Sequence, residues 1–304
     1  MGAGHARLML RSQRAALATA LAAPRALRAL PWALYLLYAL WLGFAPAVAR
    51  AQAPFRDYPP FEGAESAAPL PPDYRKPAEF VFGRLMYPPN AEWSFRGNDW
   101  KDGDSPWTID YPLGDRDFLR ILRRLTTIDA RSVEQSVDPD NGDDIFNWPF
   151  IYVDTPGAMD LTDAQVAKLR EYLLRGGFLL CDSFFGSGEW APFSVTLQRL
   201  FPNRAPVELS NDNPIFHTVY DLTQRYQVRN ERSMRYRGVG YRGDGAVPHW
   251  LGVLDDQGRI MIMIMYNNDM GDAWQYADNP IYPQRDVDMA MKLGVNIVVY
   301  DMTH

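Results

Sequence analysis

Cysteine is nearly absent from this chain: Cys181 is the only one in 304 residues. No intramolecular disulfide can form, so packing alone must hold the fold. Histidine is almost as scarce, at four residues. Apart from His5 these are His217, His249 and His304, and none sits in HxH or HExxH spacing, which argues against a histidine zinc site. No P-loop occurs, and the GxGxxG spacing at Gly238–Gly243 lacks the strand-to-helix setting of a dinucleotide fingerprint. The glycine-rich stretch Val239–Gly245 does not lie between a strand and a helix and reads as a turn. Positive charge is also in deficit, with 31 Lys and Arg against 37 Asp and Glu. Such an acidic chain is poorly suited to nucleic acid or anionic lipid surfaces.

What is there begins with a biased N-terminus. Residues 1–53 carry six arginines and no Asp, Glu or Lys, and an uncharged apolar run spans Ala29–Ala49. Ala47-Val48-Ala49 and Ala51-Gln52-Ala53 both fit a small-residue cleavage site. The pattern predicts a secretory signal peptide over residues 1–53, cleaved after Ala49 or Ala53. The alternative is an uncleaved anchor, because the run is about long enough to span a bilayer, although Pro31, Gly43 and Pro46 interrupt it. Without residues 1–53 the chain has 25 basic and 37 acidic residues, a net charge of −12. The expected location is periplasmic or secreted, or anchored in the inner membrane and facing the periplasm. Any membrane contact is expected through the N-terminal segment only.

Pro54–Ala78 is rich in Pro, Ala and Glu and is expected to be an extended linker. Residues 79–304 suffice for one large domain with its own core. Its organising stretch is Leu161–Gly188. Thr162 and Gln165 fit a capping box. Val166, Leu169, Tyr172 and Leu173 recur at helical spacing. Gly176 and Gly177 end the helix, since a left-handed cap costs glycine nothing. Phe178–Cys181 is an uninterrupted apolar run, as expected of a strand buried on both faces. Asp182, Ser183, Gly186 and Gly188 then suit a loop. Helix, strand and loop in that order predict α/β architecture. Open α/β sheets bind ligands at such strand ends.

Further strands are predicted at Phe80–Leu85, Ser132–Ser136, Phe150–Val153 and Val207–Leu209. His249–Leu254 and Arg259–Tyr266 read as a hairpin. Helices are predicted at Asp115–Leu125, at Glu189–Phe201 with Pro192 in its first turn, and at Val287–Tyr300 capped by Asp286. Tyr87–Pro112, Asn211–Leu222 and Asn267–Pro283 read as loops. The first and last are long and aromatic, which is typical of functional loops. Asp138–Asp144 looks like a calcium loop, but its glycine is misplaced for an EF-hand and no acid closes it, so it reads as a solvated turn.

Three sets of residues carry candidate chemistry. Cys181 is a possible thiol nucleophile with His217 or His249 as its base. Its apolar run equally suits a small buried core residue. Asp110, Asp154, Asp182, Asp269, Asp272 and Asp278 fall at predicted strand ends and in loops. They suit calcium or magnesium, or else the commoner task of capping turns. The commoner task is the expectation, with no metal and no cofactor. Trp100, Trp107, Trp148, Trp190, Trp250 and Trp274 lie near Asp, Asn or Gly in loop-like segments. They suit sugar recognition, a protein interface, or packing beneath long loops.

Several segments together resemble a known family. They are Phe80–Tyr87, Asp110–Thr126, Pro149–Gly157, Leu161–Asp182, Asn213–Leu222, Asn267–Trp274 and Leu293–His304. The family is the bacterial domain-of-unknown-function family numbered 4159. The resemblance implies a class I glutamine amidotransferase-like superfamily, with a flavodoxin-like three-layer α/β/α sandwich and a mostly parallel sheet. It points to the trehalose-utilisation-like branch, which lacks the amidotransferase thiol. That branch's usual histidine before Pro214 is Asn213 here. His217 is followed by Thr218 and Val219, so the His-x-Glu of an amidotransferase is missing too.

The expected function is an exported domain that binds a saccharide or similar polar ligand at the strand ends. Asp154, Asp182, Ser183, His217, Asp269, Asp272 and Trp274 would form the site. One alternative is a hydrolase using Asp182 or His217, with Cys181 as a further catalytic candidate. Another is a protein-interaction module of a cell-envelope complex. The expected partner is accordingly a small polar ligand or an envelope protein.

Overall fold

The computed structural model describes residues 52–94 and 99–304. Except for Gln52 and Ala53, the expected leader lies outside the described residues. Among these, no helix is long and apolar enough to cross a membrane.

Seven strands form one sheet: β1 (Gly83–Leu85), β2 (Gln135–Val137), β3 (Phe150–Asp154), β4 (Phe178–Phe184), β5 (Val207–Glu208), β6 (Leu251–Leu254) and β7 (Ile260–Tyr266). Their order is β2-β1-β3-β4-β7-β6-β5. The first five in that order are parallel, and the β7–β6 and β6–β5 pairs are antiparallel. The fold is therefore mixed α/β on a mostly parallel sheet. Among the described residues six helices accompany it: α1 (Leu113–Leu125), α2 (Asp163–Leu174), α3 (Gly186–Leu200), α4 (Glu231–Arg237), α5 (Met270–Gln275) and α6 (Gln284–Thr303).

The apolar runs of the central strands follow from burial on both faces. Phe178 and Leu180 of β4 join Phe118, Trp274 and Val298 in one core cluster. Leu179 and Cys181 join Val166, Leu169 and Leu197 in another. Thus α1, α5 and α6 cover one face, while α2 and α3 cover the other. Parallel register sets Asp154 beside Asp182 at the carboxyl ends of β3 and β4.

The capping box of α2 is present in full, with Gln165 N donating to Thr162 Oγ1 at 3.3 Å and Thr162 N to Gln165 Oε1 at 2.9 Å. Several expected boundaries move. β4 runs on through Asp182 and Ser183, because its partner β7 continues to Tyr266 beside Phe184. Gly186–Gly188 opens α3 rather than forming a loop; the Glu189 carboxylate reaches back to accept Phe185 N at 2.8 Å. Pro192 therefore falls in the second turn. Regular pairing of β1 starts only at Gly83, with Phe80 in an isolated bridge to Ala130. The supposed loop Asn267–Pro283 contains α5, which the Asp269 side chain caps. α6 starts at Gln284, so Asp286 lies inside it and binds Arg229 instead of capping (2.7 Å).

The Pro-rich segment is not a free spacer. Phe61 N donates to Thr108 O at 3.1 Å, and Arg116 binds both Ala68 O (2.7 Å) and Asp57 (2.6 Å). It runs as a strap over α1 and the long aromatic loop. One consequence of the α2 cap is measurable: Thr162→Ala should lower stability by about 1 kcal/mol in urea unfolding, with an unchanged denaturant slope.

Candidate functional site

The carboxyl ends of β3, β4 and β7 converge on a cleft of about 680 Å³. Thr155, Ser183, Asn230, Asp269, Asp272 and Arg242 line its inner part. Phe61, Trp93, Tyr236 and Tyr276 supply aromatic walls, and Arg232, Arg235 and Arg237 lie toward its mouth. The strap contributes Glu62 and Glu65.

The backbone at this end of the sheet is sharply bent. Four non-glycine residues have positive φ: Asp110 (58°), Thr155 (46°), Ser183 (62°) and Asn267 (63°). Thr155 and Asn267 directly follow β3 and β7, Ser183 is the penultimate residue of β4, and Asp110 is itself a buried acid. Such conformations persist only where the surroundings over-determine them.

The polar network is continuous. The Tyr152 hydroxyl lies 3.1 Å from Asp154 Oδ2 and 3.2 Å from Asp182 Oδ2. Asp182 Oδ2 also accepts Met270 N (2.7 Å) and Gly271 N (3.0 Å), which ties β4 to α5. Ser183 Oγ donates to Asp269 Oδ1 at 2.9 Å. Asn230 Nδ2 reaches both Asp269 (2.9 Å) and Asp272 (2.8 Å), and Glu231 N donates to Asp272 at 2.6 Å, which ties α4 to α5. Arg242 binds Glu189 through Nε (2.7 Å) and Nη2 (2.9 Å), donates to Ser183 O (2.9 Å) and lies 4.0 Å from Asp269.

Five buried aspartates meet here: Asp110, Asp154, Asp182, Asp269 and Asp272. Burial raises the pKa of each. Asp110, Asp182 and Asp272 are pushed well above the carboxylate range, with the neighbouring acids adding to the effect. Asp269 is raised by burial against the pull of Arg242. Asp154 is pushed up to about 7 by burial, against the pull of Arg84. The floor can therefore hold protons at neutral pH and offer hydrogen bonds, or hold a cation with its acids ionised.

The structure brings Asp154, Asp182, Ser183, Asp269 and Asp272 into one buried network, of which Ser183, Asp269 and Asp272 line the cleft and Asp154 and Asp182 lie behind it, and it leaves His217 and Trp274 out. His217 spends its ring nitrogens on Asp221 (2.5 Å) and Asn211 O (2.7 Å) and does not line the cleft. Trp274 is fully buried and stacks on Phe118 at 4.5 Å, so it is a core residue. Cys181 is fully buried and its thiol is held well above its usual pKa by burial, which suits core packing. Asp278 is exposed beside Arg120, away from the floor. Sequence reasoning passed over Glu62, Asn230 and Arg242. Asn230 before Glu231 is a recognisable helix-cap signal that would have revealed α4.

The family model of the domain of unknown function DUF4159 matches residues 99–302. The chain belongs to the DUF4159 family. No curated protein matches it. The match includes all five aspartates, Asn230 and Arg242. It starts after β1, yet β1 sits between β2 and β3 within the sheet, so the DUF4159 fold seen here needs residues upstream of the match.

The raised Asp154 pKa has a definite sign. A carboxyl that holds its proton more tightly when folded adds stability below its unfolded pKa, and that stability is lost as pH rises through the folded value. With chelator present, the unfolding midpoint should fall as pH rises from about 4 to about 7. Asp154→Asn should flatten that decline, as scanning calorimetry at several pH values will show.

Proposed function

We propose that the cleft binds a saccharide or a similar polar ligand, one that carries an acidic group. The observation that supports this most is the composition of the cleft. Its floor is made of hydrogen-bonding side chains from strand ends, its walls are aromatic, and its mouth is basic. Carboxyls, hydroxyls and Asn230 suit the hydroxyl groups of a sugar, and flat rings suit its faces. Arg232 and Arg237 have no ion-pair partner among the described residues and suit a carboxylate or phosphate substituent.

We further infer a flavodoxin-like three-layer sandwich of the glutamine amidotransferase-like superfamily. The parallel strands run in the order 2-1-3-4-5 when β7 is counted as the fifth, and helices cover both faces. Amidotransferase chemistry is not part of the proposal, because Cys181 is a core residue. A hydrolase built on Asp182 and His217 is also disfavoured, since neither lines the cleft. Export to the periplasm or beyond rests on the N-terminal pattern alone.

Thermal-shift screening of the full chain against neutral and acidic saccharides and cell-wall fragments tests this reading. A ligand at a hundred times its dissociation constant adds about 2.7 kcal/mol. For a chain of this size that is on the order of 5–10 °C. Acidic saccharides should give the larger shift, and the double variant Arg232→Gln/Arg237→Gln should weaken them roughly tenfold while sparing neutral ones. A flat response across the whole panel would count against a ligand cleft.

A further inference from the structure

We propose that Asp110, Asp269 and Asp272 form a divalent-cation site in the floor of the cleft. One carboxylate oxygen from each lies within 4.8 Å of the others. Two oxygens bound to one calcium ion at about 2.3–2.6 Å stand at most about 5 Å apart, so a single ion fits among the three.

Proximity of acids is not enough, and the second observation is the state of Asp110. Its side chain is 1% exposed, and neither oxygen has a hydrogen-bond partner among the described residues. A buried carboxylate without donors is among the costliest groups a fold can hold. The position is nonetheless enforced. Asp110 takes a left-handed φ of 58°, its carbonyl accepts Gly114 N at 2.8 Å, and its own N–H donates to Glu62 at 3.3 Å. A Cβ on Gly271 would stand 2.2 Å from Asp110 Oδ2, so α5 is packed closely against this carboxylate. The side chain is thereby aimed at the first turn of α5, which Asp269 caps and Asp272 belongs to.

Among the described residues no group at hand neutralises it. The amides of Met270 and Gly271 already donate to Asp182. Arg84 is engaged by Asp115 through two bonds of 2.8 and 2.7 Å, and Arg242 by Glu189. Asp269 and Asp272 have structural duties, in capping α5 and tying α4 to it. Asp110 has none that its carboxylate performs. An all-oxygen set with no His or Cys selects calcium, magnesium or manganese over zinc or copper. Three protein ligands leave further positions on the ion. Asp269 and Asp272 line the cleft, so those positions face the proposed ligand. The ion site shares the cleft floor with that reading but is tested apart from it.

The test is isothermal titration and thermal shift of the full, chelator-treated chain with Ca²⁺, Mg²⁺ and Mn²⁺, each alone. At least one ion should bind with a single-site isotherm and raise the unfolding midpoint by about 5 °C or more at saturation. Asp110→Asn should weaken that ion at least tenfold. Because no fold contact depends on the Asp110 charge, the same variant should unfold at a higher temperature than the parent in chelator; a merely structural carboxylate would give a lower one. Asp278→Asn, on the surface, should leave binding unchanged. No response to any of the three ions, or a response that survives Asp110→Asn, overturns the site. Saccharide binding that persists in chelator alongside such a result would overturn the ion site alone. Ion binding with no saccharide response would uphold the ion site and remove the ligand reading.

Discussion

Arg84 sits in the middle of β1 with no exposure, and the fold around the cleft depends on how its guanidinium is satisfied. Nε and Nη2 form a two-pronged bridge to Asp115 at the start of α1. Nη1 donates to the carbonyls of Trp107 (2.7 Å) and Ile109 (2.9 Å). One buried cation thus fastens a strand, a helix and the long aromatic loop between them. Bonds to Trp107 and Ile109 fix the loop just before Asp110, so the placement of that acid follows directly from this bridge. Removing one partner of such a pair costs about 3–5 kcal/mol, since the other charge is left buried alone. A core of Trp107, Tyr111 and Tyr152 closes around the bridge and keeps water from it.

The same region gathers more negative charge than the fold alone can balance. Asp154 and Asp182 are neighbours by strand register. Asp269 and Asp272 are neighbours by helical spacing at the head of α5. Asp110 comes from a loop held by Arg84, and Glu62 from the strap. The six acids arrive by four structural routes, and each route is stabilised by its own hydrogen bonds. The charges are brought together as a result of those separate constraints, and burial raises the pKa of each of the five aspartates. A fold under no demand at this position would fill it with apolar groups at lower cost, which is why the cleft floor, and not the core, is where function is sought.

Much of this was legible beforehand. The α2 capping box, the β3 and β4 runs and the β6–β7 hairpin depend on local pattern, and they occur where the pattern puts them. Asp154, Asp182 and Ser183 were identifiable as strand-end residues for the same reason. Errors arose where a tertiary partner overrode a local signal. Asp182 and Ser183 look like loop residues until β7 extends alongside them. Asn267–Pro283 looks like a loop because a six-residue helix is too short to show periodicity. The Pro-rich strap lacks any regular pattern and is ordered only by what it packs on, notably Arg116. Trp274 resembles a ligand platform because a tryptophan among Asp and Asn carries no mark of which way it faces.

By itself the sequence determined the α/β class, the mostly parallel sheet implied by continuous apolar strands, and the acids at two strand ends. These follow from the period of each segment, which records the burial of its own faces. Tertiary structure alone decided that Glu62, Asp110, Asn230, Arg242, Asp269 and Asp272 meet, and that His217 stays apart with Asp221. They come from segments up to about two hundred residues apart in the chain. Which of them converge depends on strand order and on the buried bridge that holds Asp110, and neither leaves a trace in local periodicity.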